Sequence, residues 1–228
     1  MWLLNSSIGR KVVMSITGIC LILFLTFHCC MNVVAFISGE GYNWICEILG
    51  ANWYAVVATI GLAALALLHI VYAFWLTFQN RKARGNERYD VTERRSEVSW
   101  ASQNMLVLGI IILIGLLIHL YDFWYNMMFA ELFPNIHFDA APADGFGKIQ
   151  ATFANPVKVV LYVIWIVAIW FHLTHGFWSA MHTLGWSGKV WQKRWQCIGV
   201  IYVTILMALF LIVVLAFAFK LAPSLCVA

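Results

Sequence analysis

Four histidines, His28, His69, His119 and His172, each sit inside a separate apolar stretch long enough to cross a bilayer. An ionisable side chain in hydrocarbon is costly, so each is a functional candidate whose partner should be named. Counted from the stretch ends at Gly39, Asn52, Met128 and Pro156, His28 and His119 lie 9 to 11 residues in, and His69 and His172 lie 16 to 17 in. At ~1.5 Å of rise per residue these are layers ~15 Å and ~25 Å deep, about 10 Å apart. Two imidazoles at one depth can fill both axial positions of a haem iron, which suits electron transfer because no substrate then reaches the metal. The spacing predicts two bis-histidine haem sites, His28 with His119 and His69 with His172, stacked across much of a membrane.

Small residues near these histidines would let a flat porphyrin approach the backbone: Gly176 after His172, Gly115 before His119, and Ala66 and Ala73 beside His69. Ordinary helix packing in membranes uses small residues too. The competing reading is that each histidine only hydrogen-bonds across helices. His175 shares nearly the same face as His172 and stays open as an alternative ligand. His182, near a span end, suits contact with a haem propionate or plain solvation, and His137, in a loop, receives no role.

The elements that must position these residues are helices. The 228-residue chain is 63% hydrophobic and 11% charged, whereas soluble domains run near half apolar and a quarter charged. Five stretches predict membrane-spanning helices at about 11–38, 53–80, 100–128, 156–186 and 190–220. Runs such as Leu106 to Leu120 are apolar on every face, which excludes the alternation of a transmembrane barrel. The class is all-α, a single five-helix bundle.

Basic residues stay on the cytoplasmic side. Arg10, Lys11, Arg81, Lys82, Arg84, Arg88, Arg94, Arg95, Lys189, Lys193 and Arg194 share one side, leaving Lys148, Lys158 and Lys220 opposite with Glu40, Glu47, Glu131, Asp139 and Asp144. The N-terminus is expected inside, with no cleaved signal. The connection between spans one and two, around Gly39-Glu40-Gly41, reads as short. Residues 129–155 form the longest loop, punctuated by Pro134, Pro142, Gly145 and Gly147 and closed by Asn155 as N-cap and Pro156 as N1 of span four. The mixed-charge loop from Arg81 to Glu97 reads as a solvated, lipid-bound or partner-docking surface.

Six cysteines without CxxC spacing give no zinc or iron–sulfur signature and read mostly as apolar fillers. No nucleotide-binding motif is present, and nothing points to nucleic acid. Trp44, Trp53 and Trp124 read as the interfacial belt.

Ser7-Ile8-Gly9-Arg10-Lys11 with Met14, Thr17 and Gly18, and His172-x-x-x-Gly176 followed by Leu184-Gly185, carry a resemblance. Over essentially residues 5 to 220 the chain resembles the cytochrome b membrane anchor of succinate:quinone oxidoreductases, in the single-chain, five-helix, two-haem form. In that family the inner-haem ligand precedes one glycine by four residues and a terminal glycine by thirteen, a register that favours His172 over His175.

The resemblance implies His69 and His172 on an inner haem b and His28 and His119 on an outer one, in a bacterial inner membrane. It implies a flavoprotein partner with covalent FAD and an iron–sulfur partner that passes electrons to this subunit. Menaquinone is the implied exchangeable substrate, because a low-potential carrier at the outer haem lets the membrane potential, worth ~2.3 kcal/mol per charge per 100 mV, couple to the reaction. Whether the complex pairs into a dimer of heterotrimers, and whether it runs towards succinate oxidation or fumarate reduction, stays open.

Quinone chemistry needs an acid or base near the outer haem. Asp122, one turn beyond His119, and Glu47, in the first outer loop, are the candidates, with Asn32 one turn beyond His28 as a polar neighbour. The alternatives are the cytochrome b anchor of a formate dehydrogenase or hydrogenase, and a haem-free transporter whose histidines relay protons.

Overall fold

The computed structural model describes residues 6–84, 100–135 and 141–225, so His137, Cys226 and most of the mixed-charge loop lie outside the described residues. It is helical throughout, with no strand among the described residues. The helices are α1 (Ser7–Ile37), α2 (Gly39–Ile48), α3 (Trp53–Arg84), α4 (Met105–His119), α5 (Gly145–Phe153), α6 (Pro156–Thr183) and α7 (Lys189–Ala218). A single turn, Trp100–Gln103, precedes α4. A π-helical segment, Leu120–Phe129, and a last α-turn, Ala130–Leu132, continue it. Five helices, α1, α3, α4 with its continuation, α6 and α7, are long and apolar enough to cross a membrane, so the chain is a multi-pass membrane protein.

Local chemistry sets the boundaries. The Ser6 side chain accepts the Gly9 N–H at 2.9 Å, an N-cap that starts α1 at Ser7, four residues earlier than the apolar stretch predicts. At the other end Ser38 is extended and serves two helices: its N–H donates to the Val34 carbonyl at 2.8 Å, and its hydroxyl accepts the Gly41 N–H at 3.1 Å. The expected short connection is therefore mostly a second helix, α2, and Gly39 and Gly41 lie in its first turn. Asn155 caps α6 through the Val157 N–H at 2.9 Å with Pro156 following, as expected.

Span four ends at Thr183, before the expected 186. Gly185 adopts φ +82°, and the Trp186 N–H returns to the Met181 carbonyl at 3.0 Å, a Schellman stop that favours glycine. The helix of span two runs on to Arg84, since basic side chains can leave the hydrocarbon while the backbone stays helical. Span three breaks at Asn104 and reaches Leu132 instead of 128.

The long loop holds α5. Asp144 caps it by accepting the Gly147 N–H at 3.0 Å and takes a bond from Asn43 Nδ2 at 3.1 Å, while Asn43 Oδ1 accepts the Phe146 N–H at 2.8 Å. A methyl on Gly145 would overlap the Cys46 sulfur, so this glycine permits α5 to seat on α2. Burial pushes the Cys46 thiol up to about 11, which keeps it neutral near physiological pH and fits the packing role expected of the cysteines. Cys29, buried in α1, is likewise a filler.

The bundle has α1 and α6 at its centre. α3 packs on α1, α4 packs on α6, and α7 wedges against both central helices through Gly199, Val203, Leu206, Met207, Val213 and Val214. The Tyr202 hydroxyl of α7 bonds with Thr26 of α1, and Trp170 Nε1 of α6 donates to Thr204 Oγ1 at 2.9 Å. Among the described residues, α1 makes little or no close backbone approach to α4, and α3 little or none to α6. Large apolar residues such as Leu23, Ile60, Ile114, Val160 and Ile205 face outward, as lipid-facing positions do. Trp44, Trp53 and Trp124 are exposed near span ends, in keeping with a belt.

Candidate functional site

Each candidate histidine projects from a different span, and they meet as two facing pairs. His28 of α1 and His119 of α4 have ring centroids 5.7 Å apart with planes crossing at 83°. His69 of α3 and His172 of α6 are 6.4 Å apart, crossing at 69°. These are the partners that depth alone predicts.

Each pair reaches across two helices that do not otherwise pack closely, whereas packed helices lie about 8–10 Å apart. A metal ion between two imidazoles, with metal–nitrogen bonds of about 2 Å each, sets their ring centroids roughly 6 Å apart. The two observed spacings sit on either side of that figure.

His119 Nδ1 and His172 Nδ1 are buried without a hydrogen-bond partner among the described residues. The same holds for His175 Nδ1, and a buried polar atom left unpaired costs about 1–3 kcal/mol. Gly176, one turn from His172, faces open space where a side chain would stand. Paired imidazole donors that face each other suit a metal-centred group at either pair, and open space beside Gly176 adds room at the His69–His172 pair.

The pair of His28 and His119 is lined by aromatic rings. Phe24 stacks on His28 at 5.5 Å and Phe210 lies 5.9 Å from it. Phe123, Trp165 and Tyr162 surround His119 at 5.2, 5.4 and 6.2 Å. The separation of the two layers can be read along the helices that carry them. On α1, His69 meets Thr17, eleven residues before His28; on α6, His119 meets Trp165, seven residues before His172. At ~1.5 Å per residue these rulers give ~16 Å and ~10 Å.

Gly115 requires a correction. It does not border open space, because the Trp165 indole occupies the position its side chain would take and donates from Nε1 to the Ile112 carbonyl at 3.0 Å. Gly115→Ala therefore forces Trp165 off that carbonyl and against His119. We expect a stability loss of about 1–3 kcal/mol, the usual cost of overpacking, seen as a lower unfolding temperature in detergent.

His175 turns to Trp178, 5.1 Å away, and His172 alone of the two faces His69. His182 is exposed in the last turn of α6.

Asp122 lies in the π-helical segment just beyond His119. It is neither free nor solvated: Lys158 Nζ donates to Oδ1 at 2.6 Å, and the Tyr162 hydroxyl donates to Oδ2 at 3.1 Å. Its side chain is 7% exposed against 29% for Lys158. Tyr162 thus touches His119 with its ring and Asp122 with its hydroxyl. Asp122 and Lys158 also line a polar cavity of about 260 Å3 with Asn126, Lys148, Thr152 and Asn155. The Asp122–Lys158 pairing had a sequence signal, since a lysine in the first turn of α6 opposes the helix dipole unless a carboxylate meets it.

Glu47 is exposed on α2, lining an open cleft of about 450 Å3 with Glu40, Asn43, Trp44 and Asp144. That helix begins after Ser38, ten residues beyond His28, so the structure does not bring Glu47 to the histidines as it brings Asp122. Asn32 is spent locally, its Nδ2 donating to the His28 carbonyl at 2.8 Å.

The fold and the site define a five-span helical membrane protein with two facing histidine pairs. Searches of protein-family models, curated proteins and solved structures give no significant match to this chain.

Proposed function

We propose that this chain is the membrane anchor and di-haem cytochrome b subunit of a succinate dehydrogenase or fumarate reductase complex. In this reading it passes electrons between an iron–sulfur subunit and menaquinone across a bacterial inner membrane, with its N-terminus in the cytoplasm. The carrying observation is that two histidine pairs each bridge a gap between helices that do not otherwise pack.

His69 and His172 would hold one haem b towards the basic end of the bundle, and His28 and His119 the other. Haem b would supply reversible one-electron chemistry at each pair. The protein's own work is to orient the imidazoles, exclude water with the aromatic rings around His119, and keep the two sites within one rigid frame. Asp122 is our first choice for proton exchange with quinone, since Tyr162 joins it to the surroundings of His119; Glu47 is the second. The flavoprotein with its FAD and the iron–sulfur subunit belong to the partners, which would dock at the basic end.

The test is a reduced-minus-oxidised optical spectrum with a pyridine haemochrome assay on the purified complex. Two haems b per chain are expected. One haem would break one of the pairs, and none would favour the transporter reading.

A further inference from the structure

Thr17, in α1, is 4% exposed, one of few buried polar side chains among the described residues. Its hydroxyl oxygen lies 2.9 Å from the Val13 carbonyl, 3.1 Å from the Met14 carbonyl and 3.1 Å from His69 Nδ1. A hydroxyl has one proton, and carbonyls only accept. The proton is shared between the two α1 carbonyls, the back-bonding common for threonine within a helix. The oxygen is left as an acceptor towards the His69 ring.

A methyl on the neighbouring Gly18 would stand 3.4 Å from His69 Cε1, in ordinary contact, so the ring lies close against the α1 backbone. Thr17 and Gly18 together form a seat for His69.

We propose that Thr17 is a positioning residue that fixes His69 as the Nδ1–H tautomer. Its unprotonated Nε2 is thereby presented across the gap between α3 and α6 to the iron facing His172. The proposal rests on the haem reading above. A hydrogen bond accepted from Nδ1–H also raises the donor strength of the opposite nitrogen, which stabilises oxidised iron. The contrast with His119 and His172, whose Nδ1 atoms have no such partner among the described residues, makes the effect local to one site.

The experiment compares the intact complex carrying Thr17→Val, Thr17→Ser or no change, by haem count, redox titration of each haem and low-temperature electron paramagnetic resonance. Loss of signal in a His172→Ala variant assigns the inner haem.

With Thr17→Val we expect both haems retained, because valine keeps the shape of threonine beside the ring and both facing histidines remain. The inner haem should shift to higher potential with a changed resonance signal, the outer haem should not move, and Thr17→Ser should restore both properties. Loss of the inner haem in the valine variant with recovery in the serine variant supports the same role. An unshifted inner haem, equal shifts of both haems, or a serine variant that behaves like valine overturns it. A wild-type complex that holds two haems while Thr17→Val changes nothing refutes this proposal alone, whereas a wild-type complex without haem refutes the functional reading beneath it.

Discussion

On the proposed di-haem reading, replacing His119 with alanine is expected to lower the haem content from two per chain to one and to abolish electron transfer to quinone. The reaction of the proposed flavoprotein partner with a soluble dye should continue. His119 faces His28 across 5.7 Å in a site closed by five aromatic rings, and no other histidine stands at that level to substitute among the described residues. Loss of an outer-shell partner typically costs 10–100-fold in metal affinity or activity, so loss of an axial ligand should exceed ~100-fold. His172→Ala should empty the other site. His175→Ala should leave both filled, because that ring faces Trp178 rather than His69. A pyridine haemochrome assay on the three purified variants decides it: two haems surviving in the His119 variant would remove the pair from consideration.

The second large effect is expected at Asp122. Asparagine there leaves Lys158 without its counter-charge and weakens the bond from Tyr162. Breaking a buried ion pair costs about 3–5 kcal/mol, and with Lys158 29% exposed a loss of roughly 1–3 kcal/mol is more realistic once solvent screening is allowed for. Replacing the whole pair with apolar residues, Asp122→Leu with Lys158→Met, should recover most of the stability, because no unpaired charge remains.

Quinol-linked turnover separates structure from chemistry. A double variant that melts like the wild type yet turns over at least tenfold more slowly assigns the carboxylate a proton-transfer role. A double variant with wild-type turnover makes the pair a fastener between the π-helical segment and α6.

What could be read from the residues was whatever depends on counting along a straight helix. His28, His69, His119 and His172 could be paired before any coordinates because each lies in an apolar run of known rise, and the Asn155-Pro156 start of α6 is written in two adjacent residues. The misses share a different cause. Ser38 ends one helix and begins the next through two hydrogen bonds of its own, so a connection that looked short holds α2. The segment Leu120–Phe129 widens into a π-helix with no compositional mark distinguishing it from the α-helix before it. Gly115 looked like space for a cofactor, but Trp165, fifty positions later in the chain, fills it. Thr17 over His69 and Tyr162 on Asp122 are contacts between distant helices that only packing reveals.

The position of α7 sets an order on biogenesis. This helix holds no histidine among its residues, yet it clamps α1 to α6, the two helices on which the rest of the bundle hangs. It also follows the other four spans in the chain. While only the first four spans are in the bilayer, α1 already meets α6, but the α7 partners that brace the two, Tyr202 on Thr26 and Thr204 on Trp170, are not yet in place. On the proposed reading, cofactor loading would be completed only with the fifth span, and a chain stalled before Lys189 would carry the four candidate ligands in an unbraced bundle.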